Sequence, residues 1–148
     1  VKGSRYFSTP LKYYFADIGL RNARLNFRQV EETHIMENII YNDLVRRGYN
    51  VDVGVVEYNQ TKDNKKKKIQ LEVDFVVNRG NIKYYIQSAL ALESDEKKEQ
   101  ELNSLKRIDD SFKKIIIVKD DIIPRYNEQG IYYIGIKDFL LTDNILEN

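Results

Sequence analysis

The sequence predicts an α/β domain with a mixed central sheet flanked by helices. Three observations lead to this fold class: an amphipathic helix near the start, alternating apolar residues in the segments that follow it, and an apolar run after a second helix. Strands joined by short turns pair antiparallel, whereas strands joined by a crossover helix pair in parallel. The sheet is therefore expected to begin with three antiparallel strands and to continue, after the crossover helix, with a parallel strand.

The first elements of the chain are short, and a longer helix follows them. Residues 12–15 are expected to form a strand, and the carboxylate of Asp17 is expected to cap a helical turn over residues 18–20. The main helix is predicted over residues 33–47, because apolar residues recur there every three or four positions. Gly48 supplies the left-handed residue that ends it.

Three strands, a crossover helix and two further strands are predicted after the main helix. The first three strands are expected at 51–58, 69–77 and 82–90, with the lysine-rich residues 62–68 as a loop tip. The crossover helix is expected over 95–110, with a buried stripe formed by Leu102, Leu105, Ile108 and Phe112. The apolar run within 114–119 is typical of a strand covered on both faces. A last strand and a closing helix are predicted at 130–136 and 137–141.

The second strand has one apolar and one polar face. Alternation places Leu71, Val73, Phe75 and Val77 on the first face, and Gln70, Glu72 and Asp74 on the second. A hairpin centred on Arg79-Gly80 would set Glu72 opposite Gln87 and Asp74 opposite Tyr85. Asp74 and Gln87 would then be diagonal neighbours, about 7 Å apart. Ala89, two residues beyond Gln87, is expected on the same face, although a solvated polar face fits the pattern as well.

Glu37 is a carboxylate expected within or beside the apolar stripe of the main helix. Ile40, Tyr41 and Leu44 lie three, four and seven positions after it. A carboxylate in that place is costly unless it is paired, hydrogen-bonded or bound to a metal. The alternative is that its side chain reaches water or meets an arginine.

These residues resemble the restriction-endonuclease-like, or PD-(D/E)xK, fold, in which a helix glutamate, a strand aspartate, a hairpin and an [Asp/Glu]-x-Lys motif follow one another. Here the order is Glu37, Asp74 and Gln87-Ser88-Ala89, so that Ala89 stands in the place of the lysine. More closely, KYYFADIGLRN at 12–22, MEN at 36–38 and EVDFVV at 72–77 are similar to an uncharacterised family that forms the C-terminal domain of prokaryotic AAA-type ATPases. The resemblance covers residues 12–141.

The resemblance implies a Mg²⁺ or Mn²⁺ site formed by Glu37, Asp74 and Gln87, since hard cations prefer oxygen ligands. In an active enzyme of this fold the metal activates a water, and the lysine stabilises charge on the phosphate. Loss of one such electrostatic group costs about 10²–10³ in rate. Because Gln87 is neutral and Ala89 carries no charge, the site is expected to be degenerate, with no catalytic residue assigned. The lysines considered as replacements are Lys83, Lys97 and Lys98.

The resemblance also implies that an ATPase module precedes this chain and is its partner. The chain is then a C-terminal fragment in which residues 1–148 form a single domain. It begins at Val1, which agrees with a fragment, and a processed natural N-terminus is the alternative. It contains no Gly-x-x-x-x-Gly-Lys-[Ser/Thr] motif, so ATP is expected only in the missing part.

Composition limits the class of protein further. Its 148 residues fit one domain, and 42% hydrophobic content indicates a folded chain. The absence of cysteine excludes a disulfide framework, a thiolate nucleophile and a cysteine zinc site. Nothing in this sequence resembles a signal peptide, and no apolar run approaches the roughly 20 residues that cross a bilayer. The cytoplasm is therefore the expected location, with no membrane partner.

The basic residues are concentrated in one run. The net charge of +1 provides no global attraction to nucleic acid, so a contact with DNA must come from a local patch. That patch is predicted to be Lys65, Lys66, Lys67 and Lys68, which would contact phosphates with strong salt dependence. The alternative is a solvated loop that protects a sheet edge from aggregation.

Three functions follow from these observations. The leading hypothesis is a noncatalytic nuclease-like module that recognises nucleic acid or a protein partner for an attached ATPase. The second is an active Mg²⁺- or Mn²⁺-dependent nuclease with a displaced lysine. The third is a purely structural protein-interaction domain.

Overall fold

A computed structural model describes residues 12–28, 31–62, 65–91 and 102–146. Within these ranges the helices are α1 (Ile18–Arg24), α2 (Glu32–Arg46), α3 (102–106) and α4 (Ile136–Leu141). The strands are β1 (Asn50–Lys62), β2 (Lys65–Arg79), β3 (Ile82–Ala89), β4 (Lys113–Val118), β5 (Arg125–Tyr126) and β6 (Tyr132–Gly135).

The strands form one mixed sheet in the order β1-β2-β3-β4-β6-β5. Neighbours β1, β2 and β3 pair antiparallel, β4 pairs in parallel with both β3 and β6, and the two-residue β5 pairs antiparallel with β6. The predicted α/β class, with three antiparallel strands followed by a parallel strand, is confirmed. Strand β5 was not predicted.

The sheet has a hydrophobic cluster on each face. Helices α2 and α4 pack on one face, where Ile40 and Phe139 contact the cluster that contains Phe75. Helix α3 packs on the other face, where Leu105 belongs to the cluster that contains Val73. Strand β4 contributes alternate residues to both clusters, as predicted for a strand covered on both faces.

Several predicted boundaries are wrong, for reasons of local hydrogen bonding. Residues 65–68 lie in β2 and not in a loop, because the hairpin ladder continues to the pair Lys62–Lys65. Residues 12–15 do not form a strand. Helix α3 ends at 106 and not at 110, because the amides of Arg107 and Ile108 donate to carbonyls three residues back and not four. The predicted start of this helix at 95 lies outside the described residues.

A β-bulge in β2 lies beside Asp74. Asp52 of β1 pairs with Val76, but Gly54 pairs with Val73, so β2 has one more residue than β1 in this interval. Phe75 consequently packs in the cluster with α2, whereas Val73 packs in the cluster with α3. The predicted shared face of Val73 and Phe75 is therefore wrong. Gly54 has room beside the bulge because it lacks a Cβ, which would lie 2.7 Å from Val76 Cγ2.

The register between β2 and β3 also differs from the prediction. Arg79 pairs with Ile82, so the turn is at Gly80-Asn81, where Gly80 has a left-handed φ of 60°. Tyr85 pairs with Val76 and not with Asp74. The predicted pairs of Glu72 with Gln87 and of Asp74 with Tyr85 are wrong because the hairpin was centred one residue too early.

Candidate functional site

The structure brings Glu37 and Asp74 together around Lys12, a lysine that was not predicted to lie at the site. Glu37 lies on α2 and Asp74 on β2, and both are buried, with 8% and 6% of their surface exposed. The Nζ of Lys12 lies 3.2 Å from Glu37 Oε2 and 3.5 Å from Asp74 Oδ1. The same amine contacts Glu72 Oε1. Three carboxylates therefore surround one ammonium group, and we call these four residues the Lys12 cluster.

The second oxygen of Asp74 is bound by β3. Its Oδ2 accepts hydrogen bonds from the Ser88 backbone amide at 2.9 Å and from Ser88 Oγ at 2.8 Å. Asp74 thus has a charged partner for one oxygen and two donors for the other, which offsets the cost of its burial. Ser88 was noted only as the middle residue of the Gln87-Ser88-Ala89 motif, and no role was predicted for it. The signal that could have found it is a serine hydroxyl within the predicted strand 82–90, beside Gln87.

Gln87 and Ala89 lie on β3, the strand beside Asp74 in the sheet, but their side chains do not share the environment of Asp74. Gln87 is buried, and its Oε1 accepts from the backbone amide of Asp74 at 3.3 Å. Ala89 is 4% exposed and packs with Val73 and Ile116 in the cluster beneath α3. The predicted single surface of Asp74, Gln87 and Ala89 is therefore wrong, because the bulge places the Asp74 carboxylate on the side of α2.

Lys12 is positioned by residues 12–17, a segment outside the helices and strands that we call the strap. The Phe15 amide donates to Asn38 Oδ1 at 2.8 Å, and Asn38 Nδ2 donates to the Phe15 carbonyl at 2.7 Å. Asn42 Nδ2 donates to the same carbonyl at 2.9 Å. The ring of Tyr14 stacks on Tyr41 with centroids 4.2 Å apart. These neutral contacts fix the strap on α2, and Asp17 then caps α1 by accepting from the Leu20 amide, as predicted.

Burial and charge act together on the groups of the Lys12 cluster. Burial alone would lower the pKa of Lys12, but its hydrogen bond to Glu72 and the charges of Asp74 and Glu37 raise that pKa above its ordinary value. Burial, and next the charge of Asp74, raise the pKa of Glu37, while Lys12 opposes this shift. Burial raises the pKa of Tyr14 to about 12. The amine is therefore a permanent cation at neutral pH.

The side chains present do not fit the divalent cation that the fold resemblance implies. Among the described residues, no group of three or more His, Asp or Glu side chains is arranged to hold a metal ion. The amine of Lys12 lies among the carboxylates, and the amide oxygen of Gln87 is directed at a backbone amide. The assignment of Glu37, Asp74 and Gln87 as metal ligands stays a prediction, and this arrangement does not favour it.

Three lysines were predicted as possible replacements, and the structure describes one of them. That lysine, Lys83, does not lie at the site. Lys83 Nζ lies 5.1 Å from the ring centroid of Phe112 and 5.9 Å from that of Tyr85. Lys97 and Lys98 lie outside the described residues. In the basic run, Lys66, Lys67 and Lys68 are exposed, and Lys68 pairs with Glu57.

The described part of the chain contains no helix that is long and apolar enough to cross a membrane.

Comparisons with known proteins give a family but no activity. A relative from Haemophilus influenzae, described as an uncharacterized protein, is 32% identical in an alignment of 145 residues that covers 95% of this chain and 31% of the relative. The chain thus spans about a third of that relative's length. No solved structure matches this chain. Residues 32–139 match the model of a domain of unknown function, DUF4143. This chain belongs to the DUF4143 family.

Proposed function

We propose that this domain is a noncatalytic, nuclease-like module that recognises nucleic acid for an attached AAA-type ATPase. The observation that carries the proposal is the position of Ala89, which stands where the nuclease family has its lysine. Ala89 packs against apolar residues beneath α3, whereas Glu37 and Asp74 converge on the side of α2. The acidic frame is thus retained while the catalytic strand position is part of the core.

The hydrogen bonding of the acidic frame also supports loss of hydrolysis. A metal-dependent nuclease needs carboxylate oxygens that are available to a cation and an amine that is available to the phosphate. In this chain Asp74 Oδ2 is occupied by Ser88, and the Lys12 amine is occupied by carboxylates. Neither group is available without a rearrangement.

An active nuclease is the second candidate, and one observation favours it. Lys12 Nζ lies 3.5 Å from Asp74 Oδ1, so an amine from elsewhere in the chain is present at the acidic frame. A displaced lysine of this kind would satisfy the sequence requirement that Ala89 does not. The wild-type domain therefore has to be tested directly for cleavage of DNA.

Nucleic acid is the partner that we propose because of the shape and charge of the β1–β2 hairpin. Strand β3 pairs with β2 only over residues 75–79, so among the described residues the far half of the hairpin is a two-stranded arm. Lys66 and Lys67 are exposed on this arm. Two-stranded ribbons with basic side chains fit the grooves and phosphates of nucleic acids.

We expect no cleavage of plasmid or branched DNA by the wild-type domain in Mn²⁺. Wild type and Asp74→Ala are incubated with each DNA, and the products are separated on gels. Cleavage by the wild type that disappears in Asp74→Ala would establish the active nuclease and contradict the noncatalytic proposal. Equal products from both proteins would indicate a contaminating nuclease.

We expect salt-dependent DNA binding that the arm lysines strengthen. The double variant Lys66→Ala/Lys67→Ala is expected to bind more weakly, and its slope of log K against log salt to be smaller by about 2, because each phosphate contact contributes about 0.9. Fluorescence anisotropy between 50 and 200 mM salt, on the order of the range in which such contacts weaken, measures the slope. Lys119→Ala is the matched control, since Lys119 is an exposed lysine paired with Glu32. A wild type that does not bind DNA would favour the protein-interaction domain instead.

A further inference from the structure

The Lys12 cluster has the charge arrangement of a cation site whose cation belongs to the chain. Glu37, Glu72 and Asp74 come from α2 and β2, and all three contact one nitrogen atom. Glu37 and Asp74 are buried, whereas the side chain of Glu72 is 51% exposed. Buried carboxylates are rarely found without a paired cation or a metal. Lys12 is the lysine that the structure supplies at this point.

The strap holds the ammonium in place independently of its ion pairs. Asn38 and Asn42 bind the backbone of Phe15 and Tyr14 stacks on Tyr41, so the backbone that carries Lys12 is fixed by neutral groups. The position of the amine among the carboxylates is therefore fixed by the path of the chain. A metal ion at that position would instead bind from solution.

We infer that the ammonium of Lys12 takes the place of a divalent metal ion, so that the native domain binds none, and that removal of this ammonium converts Glu37, Glu72 and Asp74 into a divalent cation site. The inference goes beyond the proposed function, since it concerns the cation of the cluster and holds whatever partner the arm binds.

The oxygen atoms around Lys12 are not spaced to hold a metal ion in the native structure, and they would have to move inward once the amine is absent. Asp74 Oδ1 and Glu37 Oε2 lie within 3.5 Å of the nitrogen position, and metal–oxygen distances of roughly 2.0–2.6 Å require only a small inward movement. Ser88 holds the other oxygen of Asp74 and so keeps Oδ1 directed at the cluster. The buried hydroxyl of Tyr14 has no hydrogen-bond partner among the described residues, and its pKa responds to all four charges of the cluster.

The test compares wild type with Lys12→Met, which keeps a side chain of similar length without charge. Isothermal titration with Mn²⁺, in the absence of nucleic acid, is expected to show no saturable binding to the wild type and saturable binding to Lys12→Met. Adding Asp74→Asn to Lys12→Met is expected to weaken that binding by at least about 10–100-fold, the cost of changing even an outer partner of a metal ligand. Lys12→Arg keeps the cation and is expected to bind no Mn²⁺. Lys119→Met is the matched control for loss of a paired surface lysine.

Three results would overturn the inference. Wild type could bind Mn²⁺ as tightly as Lys12→Met, or Lys12→Met could fold with the circular dichroism of wild type and bind none. If Lys12→Met does not fold without metal, its refolding yield in Mn²⁺ is compared with the yield in EDTA. A higher yield in Mn²⁺ supports the inference, and equal yields overturn it. Failure of the DNA experiments would leave these readouts unaffected.

Discussion

Replacing Arg47 with methionine is expected to lower the free energy of unfolding by about 3 kcal/mol, near the low end of the cost of removing one partner of a buried ion pair. The side chain of Arg47 is 10% exposed, and its Nε donates to Asp43 Oδ2 at 2.6 Å. Its Nη atoms donate to the carbonyls of Phe139 at 2.8 Å and Thr142 at 3.0 Å. The substitution therefore removes a cationic partner of the buried Asp43 carboxylate. It also removes the donors that bind the carbonyls at the end of α4.

Arg46 provides the matched control because it binds the other oxygen of the same carboxylate. Arg46 Nη2 lies 2.6 Å from Asp43 Oδ1, but its side chain is 63% exposed. Arg46→Met is expected to lower the free energy of unfolding much less than Arg47→Met does, because exposed ion pairs contribute little to stability. Urea unfolding followed by circular dichroism measures both variants. Equal losses in the two would show that Arg47 does not connect α2 to α4 in the way the geometry indicates.

Replacing Phe75 with alanine is expected to cost about 3–5 kcal/mol, the range for large cavities in a core. Phe75 is fully buried, and the bulge beside Asp74 directs it into the cluster with Met36 and Ile40. Its ring centroid also lies 6.1 Å from that of Tyr14 in the strap. The cavity would therefore open between the sheet, α2 and the strap.

Phe112 is the control for Phe75, since it is the same residue type at a position where 40% of its surface is exposed. It was predicted to continue the buried stripe of the crossover helix, and this was wrong because α3 ends at 106. Phe112→Ala is expected to cost about 0.5–1 kcal/mol, mostly through its contact with Lys83. Thermal and urea unfolding compare the two, and similar midpoints would contradict the assignment of Phe75 to the core.

Periodicity predicted the elements whose burial is regular. Helix α2 was expected over residues 33–47 and forms over Glu32–Arg46, because its apolar residues repeat at the helical period. The run that became β4 was expected to be covered on both faces, and it contributes to both clusters. In these segments the polarity of each residue agrees with its burial, so the local pattern is sufficient to predict the helix or strand.

The site could not be predicted in the same way, because its geometry depends on single-residue events and on contacts between distant segments. One additional residue beside Asp74 reverses the alternation of β2, and nothing in the local pattern marks that residue as unpaired. Lys12 precedes Glu37 by 25 residues, and only the path of the strap brings them together. Glu37 itself was placed in or beside the apolar stripe correctly, but its partner was expected to be a metal ion, with water or an arginine as the alternative, and not a lysine.

The pairing between Asn38 and Phe15 has a consequence for how the domain opens. The side-chain amide of Asn38 offers Phe15 one acceptor and one donor, as a neighbouring strand would, but it does so from a helix. The strap can therefore detach while every hydrogen bond between strands stays intact. Such a detachment is a sub-global opening, with a free energy below that of complete unfolding. It would admit water to Glu37 and Asp74 in a molecule that is otherwise native.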